Sequence, residues 1–223
     1  MEDETYYTSE RLRMVDEQLV ERHILDQAVL QAMREVPRHR FIPPEFRSMA
    51  YSDGPLPIGS GQTISQPYIV ALMTQMLDLK GDESVLEVGT GSGYQAAVLA
   101  HLARQVHTIE RHAKLAELAK AVLQNLGLAN VTVHIGDGSL GLPELAPFQA
   151  ILVTAAAPET PNVLLEQLDQ GGRLVVPVGG RMSQFLERWV RRGASYEQDV
   201  GVPVAFVPLR GQYGWKKDGW EDF

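Results

Sequence analysis

Residues 85–93, Val-Leu-Glu-Val-Gly-Thr-Gly-Ser-Gly, read as a buried strand that runs straight into a glycine-rich turn, and the stretch behind it, Tyr94 to Leu102, is helix-forming. A strand that enters a helix through three glycines constrains the fold more than any other feature of this chain. Gly89, Gly91 and Gly93 let the backbone turn tightly and approach a ligand that a Cβ would push away, while free amides at the helix start point towards it. That is the ligand-cradling element of a Rossmann-like α/β fold. Around it, strands at 84–88, 105–110, 131–135, 148–154 and 172–178 alternate with helices at 93–102, 112–126 and 161–169. The alternation predicts a mostly parallel sheet with helices on both faces, joined by right-handed crossovers. Gln184–Arg192 and Val202–Leu209 then read as strands with no helix between them, which predicts an antiparallel C-terminal edge.

Glycine spacing narrows the ligand. A dinucleotide fingerprint places its third glycine three residues after the second, and here that position is Tyr94. The turn is instead Glu87-x-Gly89-x-Gly91-x-Gly93, a shape suited to a cofactor without a pyrophosphate, of which S-adenosylmethionine is the common one. Glu110, seventeen residues after Gly93 at the end of the strand 105–110, is placed to accept both ribose hydroxyls. Asp137, between Gly136 and Gly138 after the strand 131–135, is placed to meet the amino edge of an adenine. All three features fall at the carboxyl edge of the sheet, where such folds bind ligands. NAD, or a purely structural turn, is the competing reading.

A length of 223 residues with 44% hydrophobic content accommodates one domain: a helical and loop region over 1–80 ahead of a core over 81–223. The formal charge of −8 disfavours a nucleic-acid substrate. With no cysteine, disulfides, thiolate zinc sites and cysteine nucleophiles drop out, and six histidines without ligand spacing predict no metal site. Neither a secretory start nor an apolar run of membrane-spanning length is visible, so a cytoplasmic monomer is expected. Helices are expected over Ser9–Arg22 and from Asp26 to just before Pro37, then loop chemistry from Pro37 to Pro67, then a helix from Gln66. Trp215, Lys216, Lys217 and Trp220 read as a packed or frayed tail beyond the last strand.

The acceptor side must name the substrate. After the strand 148–154 the chain reads Val153-Thr-Ala-Ala-Ala-Pro158, without the Asn/Asp-Pro-Pro-aromatic signature of amine methylation. What remains is an acceptor already nucleophilic at neutral pH, such as a carboxylate, which needs positioning and no general base. A hydroxyl to aim it is available in Gln62-Thr63-Ile64-Ser65-Gln66-Pro67. Ser65 read alone is more readily a helix cap ahead of Pro67 than an active-site group.

With Val36-Pro-Arg-His-Arg-Phe-Ile-Pro43, Gly61-Gln-Thr-Ile-Ser-Gln-Pro67, Leu86-Glu-Val-Gly-Thr-Gly-Ser-Gly-Tyr94 and Phe206-Val-Pro-Leu209, the chain resembles the protein-L-isoaspartate O-methyltransferases over nearly its whole length. The resemblance implies a class I S-adenosylmethionine-dependent methyltransferase fold and transfer of a methyl group to the free carboxyl of L-isoaspartyl residues in damaged proteins. The product would be S-adenosylhomocysteine. It implies Ser65 as the active-site hydroxyl, with Gln62, Thr63 and Ile64 lining the same pocket. It makes Gly89, Thr90, Gly91, Gly93, Glu110, Asp137 and Gly138 cofactor contacts, and Val207 and Leu209 backbone contacts for the peptide. Arg38 and Arg40 stay unassigned. A small-molecule or RNA methyltransferase, and a non-catalytic module that binds S-adenosylmethionine, are the alternatives.

Overall fold

A computed structural model describes residues 4–216 and Trp220; Lys217 lies outside the described residues. Strands β3 (Ser84–Val88), β4 (Gln105–Glu110), β5 (Val131–Ile135), β6 (Phe148–Val153), β7 (Leu168–Gly180), β8 (Ser183–Arg192) and β9 (Ser195–Val204) form one sheet in the order β5-β4-β3-β6-β7-β8-β9. The first five are parallel neighbours, and β8 and β9 add antiparallel rungs. Consecutive strand side chains point to opposite faces, so Val85, Val106, Ala150 and Leu152 join one core while Leu86, Val88, Ile151 and Val153 join the other. Both faces are covered, which is why these strands read as nearly continuous apolar runs.

Helices α1 (Glu4–Met14), α2 (Gln27–Glu35), α3 (Pro67–Leu77), α4 (Tyr94–Ala100) and α5 (Ala113–Asn125) complete the molecule with the short α6 (Asn162–Glu166). α2 starts where Asp26 accepts hydrogen bonds from the amides of Ala28 (2.9 Å) and Val29 (3.2 Å). Its apolar stripe of Val29, Leu30 and Met33 enters the same core as Leu99 and Val106. The N-terminal region therefore shares its core with the sheet. Among the described residues no helix is long and apolar enough to cross a membrane.

Several expectations are corrected. The first helix starts earlier than Ser9, and from Val15 it loosens into a π turn and a 3-10 turn that end at His23. The stretch 37–67 contains 3-10 turns at Arg38–Phe41 and Pro44–Met49 and a hairpin of β1 (Leu56–Gly59) and β2 (Gln62–Ile64). Ser60 and Gly61, at φ 53° and 69°, form its two-residue turn. The helix expected over 161–169 stops at Glu166, because Leu168 already pairs with Phe148 and Gly171 takes φ 73°, which a helix does not allow. The last strand is Ser195–Val204, not 202–209: the turn after Arg192 pairs that residue with Ser195 and fixes the register. The order of β8 and β9 follows the chain, a point on which the sequence was silent.

Candidate active site

The chain leaves β3 leftwards to β4 and leaves the adjacent β6 rightwards to β7, so a crevice opens between the two departing loops. One loop is Gly89–Gly93, with φ of 101°, 53° and 88° at its glycines. The other begins at Thr154, whose hydroxyl donates to the carbonyls of Gly89 (2.6 Å) and Val88 (3.1 Å). A Cβ on Gly89 would stand 2.4 Å from that hydroxyl, so residue 89 must be glycine on two counts. Gly93 faces elsewhere: a Cβ there would meet Ala119 and Leu123 of α5, so its role is helix packing and it lies off the cleft wall.

Glu110 holds the turn from the next strand. One carboxylate oxygen accepts from the Gly91 amide and the other from the His112 amide, both at 2.9 Å. Thr90 and Thr108 share a hydrogen bond of 2.6 Å beneath it. Gly138 presses against Val88, where a Cβ would come within 2.7 Å. Asp137 is turned towards the C-terminal segment: its oxygens accept from Ser139 N–H (2.9 Å), Ser139 Oγ (2.7 Å) and Gln212 N–H (2.8 Å). The Tyr213 amide donates to Ser139 Oγ at 3.0 Å, so this turn fastens the C-terminal segment, while Asp137 itself is off the wall.

Glu87 lies at the floor of the cleft, fully buried, with neither carboxylate oxygen hydrogen-bonded. Burial pushes its pKa up to about 8; a polar contact with Thr108 offsets part of this and the charge of Glu110 adds to it. This buried acid faces a cleft that is partly open to solvent, where a cation would favour its ionised form.

β2 brings Gln62, Thr63 and Ile64 to the opposite lip, with Ser65 behind them. Ser65 makes no capping hydrogen bond to α3, which starts at Pro67 without a side-chain cap. Instead Ser65, Thr63, Thr154 and Val207 border both this cleft and a second one walled by Pro203–Val207. The two clefts share this border of four residues, Ser65 among them. Of the expected backbone contacts, Leu209 has both groups engaged, its amide to Ala156 and its carbonyl from Trp215, each at 2.8 Å. Val207 accepts from Ala156 through its carbonyl, and its amide has no partner among the described residues. Arg38 is buried under Tyr94, 5.0 Å from the ring centroid, and donates to the carbonyl of Ala50 (2.7 Å); Arg40 pairs with Glu4. Neither arginine borders the clefts.

Sequence reasoning missed Thr154 as a cleft residue and gave Glu87 no role. Thr154 follows β6 directly, so the strand-end rule that found Glu110 would have found it. Among the described residues no three His, Asp or Glu side chains gather as a metal centre requires.

The family model described as protein-L-isoaspartate(D-aspartate) O-methyltransferase matches residues 9–214. A protein-L-isoaspartate O-methyltransferase of Roseiflexus sp. (strain RS-1) is 55% identical over 209 residues, covering 94% of this chain and 95% of that one. The Methanoregula boonei protein of the same name is 56% identical, with 94% and 96% covered. Among solved structures, a protein-L-isoaspartate O-methyltransferase superposes with a TM-score of 0.82 at 28% identity, covering 92% of this chain and 67% of that one. A Plasmodium falciparum protein assigned to the same activity, in complex with S-adenosyl-L-homocysteine, gives 0.79 at 26% identity, with 90% and 98% covered.

Proposed function

We propose a carboxyl methyl transfer for this chain, which belongs to the protein-L-isoaspartate(D-aspartate) O-methyltransferase family. The donor is S-adenosylmethionine and the acceptor is the free carboxyl group of an L-isoaspartyl residue in a damaged protein or peptide. The cleft suits the donor. Gly89 and Gly91 leave room for close approach, the buried Glu87 carboxyl offers charge to a cationic cofactor, and Glu110 on the wall offers acceptor oxygens to a ribose. When bound, S-adenosylmethionine supplies a methyl group activated by its sulfonium.

The observation that carries the reading is the place of Ser65 on the border shared by the two clefts. A carboxylate is ionised at neutral pH, so the protein needs no base and has to orient and partly desolvate the oxygen. The Ser65 hydroxyl, free of any cap, donates to that carboxylate, and the Val207 amide pairs with the peptide backbone. Gln62, Thr63 and Ile64 close the lip, with Thr90 and Gly138 on the cofactor side. Methylation turns a poor leaving group into a good one, so the neighbouring peptide nitrogen closes a succinimide whose hydrolysis returns part of the damage to normal aspartate. The net charge of −8 supports a protein acceptor over a nucleic acid, and we take the chain to act as a cytoplasmic monomer.

Transfer of labelled methyl to two peptides that differ only in an isoaspartyl or a normal aspartyl linkage tests the proposal. Base-labile label on the isoaspartyl peptide alone is expected. Label on neither peptide, or on an RNA, would overturn it.

A further inference from the structure

β9 leaves its ladder at Val204, which pairs with Gln184, and the chain is next anchored at Ala156, which donates to the Val207 carbonyl and accepts from the Leu209 amide. Between these anchors Ala205 and Phe206 form the wall of the second cleft, across from Ser65. A stretch between anchors with no ladder of its own frays readily, because water satisfies its backbone groups as well as the protein does. Here a side chain replaces the missing strand. The Gln184 carboxamide accepts from the Phe206 amide (2.7 Å) and donates to the Phe206 carbonyl (3.1 Å). It does so from a position 2% exposed. A carboxamide carries a donor and an acceptor on one plane, so this pair copies a backbone rung two residues beyond the last true one.

We propose that Gln184 is a positioning residue for the acceptor: by pinning both backbone groups of Phe206 it holds the Val207 amide in the orientation that meets the substrate peptide. The inference rests on the isoaspartyl reading of the second cleft. Gln184 touches no reacting atom and does not border the cofactor cleft, so its effect is confined to peptide engagement.

Two variants test it. Gln184→Met keeps the length of the side chain and removes both hydrogen bonds. KM for an isoaspartyl peptide should rise about 10- to 30-fold, the loss of two ordinary hydrogen bonds, while kcat and the Kd for S-adenosylmethionine stay within about twofold. Amide exchange at Phe206 should accelerate while the β7–β8 ladder stays protected. Gln184→Glu is the rescue. Its neutral carboxylic acid reproduces the donor and acceptor pair and its carboxylate cannot, so the ratio of its KM to that of the wild type should fall as the pH is lowered. An unchanged KM and unchanged Phe206 exchange in Gln184→Met, or equal losses in KM, kcat and cofactor affinity, would overturn the proposal. Failure of the wild type to methylate isoaspartyl peptide would instead remove the functional reading, and Phe206 exchange would still decide whether Gln184 pins the strip.

Discussion

Replacing Glu87 by Gln should stabilise the protein, and by an amount that depends on pH. The Glu87 carboxyl is fully buried, has no hydrogen-bond partner and has its pKa raised from the ordinary 4.5 to about 8. Between those values the folded chain holds a proton that the unfolded chain releases, so stability falls as pH rises from 4.5 towards 8. At pH 7 the gap is about 2.5 pH units above the unfolded value, and at 1.36 kcal/mol per unit the penalty is about 3 kcal/mol. Glutamine is as polar as the protonated acid and cannot ionise, so the variant escapes the penalty and gains little else. For a chain of this size that corresponds to a rise in Tm of about 6–12 °C at pH 7, shrinking to about 1 °C near pH 4.5. Thermal unfolding of both proteins across that range reads it directly. A gap that does not change with pH, or a variant less stable than the wild type at pH 7, would refute the argument.

The same carboxyl links cofactor binding to protons. A cationic ligand on the cleft floor favours the carboxylate, so calorimetry in two buffers of different ionisation heat should find close to one proton released per S-adenosylmethionine near pH 7. The Glu87→Gln variant has no such proton to release. It should therefore bind more weakly while being more stable, an inversion that a purely structural role for Glu87 does not produce.

Ser65→Ala should lower kcat at least about tenfold and leave both the Kd for S-adenosylmethionine and Tm nearly unchanged, since the hydroxyl caps nothing; steady-state kinetics and calorimetry check it. Gly89→Ala should cost about 1–3 kcal/mol and weaken cofactor binding, and adding Thr154→Ala should recover the part due to the 2.4 Å contact but not the part due to φ 101°, as denaturant unfolding of the double variant will read. Asp137→Ala should release the segment around Gln212 and Tyr213, with a stability loss of about 1–3 kcal/mol and faster amide exchange at those two residues.

What the sequence disclosed and what it hid divide along a physical line. The glycine turn, the carboxylate of Glu110 and the apolar strands are local patterns: each follows from the spacing of a few neighbours, and each sits where that spacing puts it. The β1–β2 hairpin was hidden because Pro, Gly and Ser mark turns without distinguishing a loop from a pair of very short strands. β9 was misplaced because an exposed edge strand reading Ser-Tyr-Glu-Gln-Asp carries no apolar alternation, so its register is set by the turn after Arg192. Asp137 adds a contact that no spacing announces: its second oxygen accepts from Gln212, 75 residues away. Glu87 was legible as a member of the motif, but its raised pKa comes from burial beneath two faces of packed side chains that no spacing encodes. The wall of the second cleft goes further in the same direction, since Gln184 there bonds both backbone groups of Phe206 beyond the end of β9. In this chain the cleft beside the glycine turn is built from strand ends that the sequence announces, and the second cleft from crossings between distant segments. Changes in substrate preference should therefore trace to residues such as Gln184 and Thr154 that sit outside every motif.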